Sequence, residues 1–87
     1  MITKKEIKRR VKECLGVGRG YRGGYFIHCS DCNHEVNTKQ EVIETIYNEI
    51  QEDSEQYITV GTYYKEYGEW YPSEGGITIY SKDEGGQ

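Results

Sequence analysis

No apolar run in this chain approaches the roughly 20 residues that a membrane span needs. The basic N-terminal stretch has no hydrophobic segment behind it, so it does not read as an export signal. Cysteine is scarce and odd in number, at three. Without an export signal, that argues for a reducing compartment and against a disulfide framework. A cytoplasmic location is the expectation, with no membrane partner. Hydrolytic chemistry is equally short of parts. No Ser/His/Asp set stands out, and carboxylates are spread too evenly for one pair to be singled out, so the chain does not read as an enzyme.

Basic residues are nearly absent from most of the chain. Residues 23–87 hold only Lys39, Lys65 and Lys82 against thirteen Asp and Glu, a net of −10. The first 22 residues hold eight Lys and Arg against Glu6 and Glu13, a net of +6. Such a split invites a partner for one end or the other, or an attraction between the two ends within the fold.

What is present is aromatic. Nine Tyr, one Trp and one Phe in 87 residues argue for a folded domain, since disordered chains are poor in such groups. At this length there is a single domain, residues 1–87, with a thin core.

Thr3 and Glu6 have capping-box spacing, the hydroxyl and the carboxylate both able to satisfy the first helical N–H groups. Ile7, Val11, Cys14 and Leu15 follow as one apolar stripe. This predicts a short helix with a very basic outer face, stopped near Leu15 by Gly16, Gly18 and Gly20. Tyr25 to Cys29 reads as a strand. Thr38 and Glu41 repeat the capping spacing ahead of Val42, Ile43, Ile46, Tyr47 and Ile50, which predicts a helix over 38–52.

From Gln56 the period becomes two. Ile58, Val60, Thr62 and Tyr64 share one face, and Tyr57, Thr59 and Tyr63 the other. A hairpin turn is expected around Tyr67-Gly68, a second turn at "PSEGG", then a strand over Ile77–Ser81 and a frayed tail over 82–87. The expected fold is α+β, in the order α-β-α-β-β-β, with a mainly antiparallel sheet and two helices packed on one face.

"GVGRGYRGG" contains a literal G-x-G-x-x-G, but a dinucleotide site needs a strand before the glycines and a helix after. The order here is reversed, which excludes that reading. The same stretch can instead meet phosphates through Arg19 and Arg22, and with Arg9 and Arg10 on the neighbouring helix it makes a nucleic-acid footprint.

Cys29-Ser-Asp-Cys32-Asn-His34 follows the first strand as a zinc knuckle begins. Tyr25 to Asn48, an aromatic strand, a C-x-x-C and a helix opening near a threonine with "VIETIYN", resembles the second half of the Lar-type phage restriction-alleviation zinc-ribbon proteins. That family has an earlier C-x-x-C pair, and this chain has none. A structural zinc wants four ligands, so Cys29 and Cys32 need both Cys14 and His34 to converge on them, or residues from a second copy of the chain. His28 is expected on the opposite strand face from Cys29. No cofactor is assigned on these grounds, zinc being the one alternative. A redox reading of the C-x-x-C is weak, because Asn33 to Asn37 separate it from the helix whose N-terminus would lower the thiol pKa.

The tyrosine-rich acidic half offers Tyr63, Glu66, Tyr67, Glu69, Trp70 and Glu74 as a partner-binding surface. Spaced surface carboxylates imitate a phosphate backbone toward a basic groove. The resulting expectation, by analogy in size and character, is a small DNA-mimicking counter-defence protein of phage type that inhibits a larger host enzyme of the restriction or CRISPR nuclease class. The alternative is a nucleic-acid-binding module built on the basic helix and the Arg/Gly loop.

Overall fold

The computed structural model describes residues 2–15, 23–29, 33–53, 55, 57–66 and 69–82. Two helices lie on one face of a four-stranded antiparallel sheet. The elements are α1 (Lys4–Cys14), β1 (Gly24–His28), β2 (Asn33–Val36), α2 (Lys39–Glu52), β3 (Tyr57–Glu66) and β4 (Glu69–Tyr80), and the strands stand in the order β2-β1-β3-β4. The α+β class and the one-sided helix layer are those the sequence predicts.

Both helix starts obey their caps. The Thr3 hydroxyl accepts the Glu6 N–H at 3.1 Å, and the Thr38 hydroxyl accepts the Glu41 N–H at 3.1 Å. The capping-box expectation fails in one respect. The Glu6 carboxylate does not reach back to the cap but receives the side chains of Arg9 and Arg10. Two guanidinium groups within one turn win over a single backbone N–H, because charge-assisted hydrogen bonds are the stronger kind.

The core is aliphatic and built by the predicted stripes. Ile7 and Val11 of α1, its C-cap Leu15, and Val42, Ile43, Ile46 and Ile50 of α2 are buried against Tyr25 and Ile27 of β1, Ile58 and Val60 of β3 and Ile79 of β4. Lys4 ties the helices together, reaching Glu44 at 2.8 Å and lying 5.2 Å from the centre of the Tyr47 ring. A backbone bond from the Ile2 N–H to the Ser81 carbonyl, 3.0 Å long, joins the start of α1 to the end of β4.

Two elements differ from expectation. Asn33–Val36, which the expected order leaves as a connection between the first strand and the second helix, is a strand paired with β1 in the register Tyr25↔Val36 to His28↔Asn33. Apart from Val36 its residues are not strong strand formers, and pairing with the apolar β1 decides the matter. The observed order is therefore α-β-β-α-β-β. The second turn at "PSEGG" is also absent, since β4 runs unbroken through it.

The proline and glycines act there as an irregularity in pairing instead. Gly61 faces Gly76 but Tyr63 faces Pro72, so β4 carries two more residues than β3 across that interval. A bulge absorbs the excess, and Pro72 is tolerated because β4 is an edge strand. The Tyr67-Gly68 turn and residues 83–87 of the expected tail lie outside the described residues.

Candidate functional site

β1 pairs with β3 only from Thr59 to Tyr63, while β3 and β4 pair onward to Glu66↔Glu69. Among the described residues, the end of this hairpin therefore runs past the rest of the sheet as a two-stranded arm. Tyr64 records the change. Its predecessors on the same face, Ile58, Val60 and Thr62, are buried beneath the helices, whereas Tyr64 is 42% exposed. The alternation continues, but the covering layer has ended.

Five of the six predicted partner-binding residues belong to this hairpin. Tyr63 and Glu69 are described with their side chains, and Glu69 is exposed. The backbone places Glu66 opposite Glu69, puts Trp70 opposite Lys65, and sets Glu74 within the bulge of β4. Tyr67 lies outside the described residues.

The sheet face turned away from the helices continues the arm. The Tyr63 ring packs edge-on against Phe26, with centroids 4.6 Å apart, and lies back over Gly61. A shallow groove of about 360 Å³ runs beside it, lined by His28, Thr59, Gly61, Gly76 and Thr78 among others. At the far end Tyr57 and Tyr80, paired across the strands, stack with centroids 4.4 Å apart, and Tyr57 is 65% exposed. No described helix covers this face. Phe26 was not singled out from sequence, although its place between the inward Tyr25 and Ile27 carries the signal.

The basic helix is less available than its composition suggests. Arg9 binds both Glu6 and Glu13, the latter at 2.8 Å, and Arg10 binds Glu6 at 3.0 Å. The hydrogen bonds that Arg9 donates to Glu6, reinforced by the one to Glu13, hold its guanidinium above its ordinary pKa. Lys5, Lys8 and Lys12 make no ion pair among the described residues. Lys4, Lys5 and Lys8 line a groove of about 410 Å³ with Gln40 and Ile43 of α2. Arg19 and Arg22 lie outside the described residues.

The cysteine motif divides as alternation requires. His28 is exposed on the outer face, and Cys29 is half-buried on the helix side. There it meets His34 of β2 and Glu49 of α2, with one donor atom of each lying within 4.8 Å of the others. His34 Nε2 is 2.8 Å from Glu49 Oε1. His34 thus joins Cys29 as the sequence allows. Nothing is described of Cys32 or of the Cys14 side chain. Glu49 was missed because it sits beside the apolar stripe of α2, and only the docking of that helix aims it at the β1–β2 pair.

Compared with protein-family models, characterised proteins and solved structures, the chain matches none. Among the described residues, no helix is long and apolar enough to cross a membrane.

Proposed function

We propose that this chain is a small interaction protein that seats the acidic, aromatic end of its β3–β4 hairpin in a basic groove on a larger partner. The observation that carries this reading is the arm itself. Among the described residues it runs past the pairing with β1, and it holds Glu66, Glu69 and Trp70, with Tyr63 and Glu74 at its base on the same hairpin. A two-stranded hairpin alone is marginal in water, so an arm of this kind gains order when a partner supplies its missing neighbours. Tyr and Trp are the residues that anchor interfaces, and the carboxylates steer the approach to a positive surface.

A groove built to hold a phosphate backbone is the basic surface that spaced carboxylates fit best. The partner class is accordingly a nucleic-acid-handling enzyme, and occupation of its groove inhibits it. The phage counter-defence role, against a restriction or CRISPR nuclease, is the specific form of this reading and rests on the Lar-type resemblance of Tyr25 to Asn48.

The test is a capture experiment from nuclease-treated host lysate. The expected catch is a nucleic-acid enzyme that wild-type protein retains, that heparin competes away, and that the triple variant Glu66→Lys, Glu69→Lys, Glu74→Lys no longer binds. Retention of the same enzyme by the triple variant would overturn the reading.

The lysine-lined groove between α1 and α2 favours a second reading, direct binding of DNA or RNA. In that case the wild-type affinity falls steeply with salt, by roughly one power of the salt concentration for each phosphate that a lysine neutralises. Lys5→Ala, Lys8→Ala and Lys12→Ala together abolish that binding. Absence of nucleic-acid binding at low salt removes this reading.

A further inference from the structure

The geometry points to a zinc site formed by Cys29, His34 and Glu49, on the helix side of the sheet and independent of the arm. Each ligand comes from a different part of the fold. Cys29 directly follows β1, His34 stands on β2 opposite Ile27, and Glu49 lies in the C-terminal part of α2. Alternation puts Cys29, Ile27 and His34 on one face, and the docking of α2 brings Glu49 over them. Strand alternation, the β1–β2 register and one packing contact thus converge on a single point.

The donor set is a thiol, an imidazole and a carboxylate. Calcium and magnesium take oxygen ligands, whereas a mixed S/N/O set suits zinc. Around a tetrahedral zinc, bonds of about 2.3 Å to sulfur and about 2.0–2.2 Å to nitrogen and oxygen put the donors about 3.4–3.6 Å from one another. The donors here lie within 4.8 Å of one another, with His34 and Glu49 already at 2.8 Å. Closure on a metal lengthens the His34–Glu49 separation by about 0.6 Å and draws sulfur inward by at most about 1.3 Å, which side-chain rotation supplies.

The surroundings suit a cation. The last turn of α2 contains no basic residue, so no side chain of that turn offsets the partial negative charge of the helix C-terminus. The three groups are half-buried, which removes part of the competition from water. On binding, zinc displaces the thiol proton to solvent and the sulfur coordinates as thiolate. Three protein ligands leave a fourth position for water or a partner's side chain, the arrangement of open zinc sites.

The experiment uses the full chain, reduced and stripped of metal, titrated with zinc or cobalt alone. The expected result is one zinc per chain with a dissociation constant below about 1 μM. Cobalt is expected to give thiolate charge-transfer absorption and the visible bands of a tetrahedral ion. Glu49→Gln and His34→Ala weaken binding by at least the ~10–100-fold that even outer-shell changes cost, and Cys29→Ser removes the charge-transfer band.

Because Cys29 packs against the core, its variant is read beside Glu49→Gln, which keeps shape and fold; far-ultraviolet circular dichroism checks both. No uptake of zinc by the reduced wild-type chain overturns the site. So does stoichiometric zinc that survives Glu49→Gln and His34→Ala unchanged while Cys32→Ser abolishes it, since the metal then belongs to the cysteine pair without these ligands.

Discussion

Gly61 and Gly76 face each other across β3 and β4, and they differ in what an added methyl group would meet. At Gly61 it would lie 3.0 Å from the edge of the Tyr63 ring, which can swing aside. At Gly76 it would lie 3.1 Å from the Val60 carbonyl, which the ladder holds. Gly76→Ala is therefore expected to cost about 1 kcal/mol in urea unfolding, after allowing for the entropy that alanine saves. Gly61→Ala should leave stability nearly unchanged but move Tyr63 off Phe26, visible as altered ring-current shifts of both aromatics. If the arm and outer face bind the partner together, Gly61→Ala weakens binding while Gly76→Ala acts through stability.

Glu6 is the other residue whose surroundings decide its meaning. It is only 4% exposed, and the side chains of Arg9 and Arg10 shield its charge. Replacing it with Gln removes an anion that two cations share. The expected loss is about 1–2 kcal/mol, discounted because Arg9 remains half in water.

At the scale of elements, the helices were the most legible parts of the sequence, because cap and stripe agree. Thr38 and its apolar followers specify α2 twice over, and α2 runs from Lys39 with Thr38 as its cap, one residue inside the expected 38–52. Thr38→Ala should lower stability by about 1 kcal/mol and fray the first turn, which amide exchange at Glu41 and Val42 would register. The sheet was less legible for two physical reasons. Asn33–Val36 has little strand propensity of its own and becomes β2 only because β1 offers it a ladder. Pro72 with Gly75 and Gly76 imitates a turn, but an edge strand with a bulge accommodates the same residues. Of the Cys29–His34–Glu49 cluster, Cys29 and His34 were readable from spacing. Glu49 depends on how a helix is rotated over a sheet, and no local pattern encodes that.

For the molecule as a whole, charge works across elements rather than within composition. The net of +6 in the first 22 residues suggests an open cationic surface, yet Arg9 and Arg10 are bound within α1 and Lys4 is bound to α2. The hydrogen bond from Lys4 holds the Glu44 carboxyl below its ordinary 4.5. A carboxyl depressed in the folded state adds stability above its unfolded pKa and loses it as pH falls through the folded value. Lys4→Met should accordingly flatten the fall in stability below pH 4.5. The difference should shrink in high salt, because both partners are exposed and screened. Urea midpoints measured through that range, with and without salt, check it.

The bond between Ile2 and Ser81 also sets an order of events during synthesis. During synthesis α1 is made before the other elements with Ile7, Val11 and Leu15 uncovered, and α2 can shelter part of that stripe once it is made. The backbone partner of Ile2 exists only after Ser81 has been added, some 79 residues later. Of the elements described, the earliest made is thus tied to the edge strand last, and a truncation before β4 leaves α1 held by α2 without the Ile2–Ser81 bond.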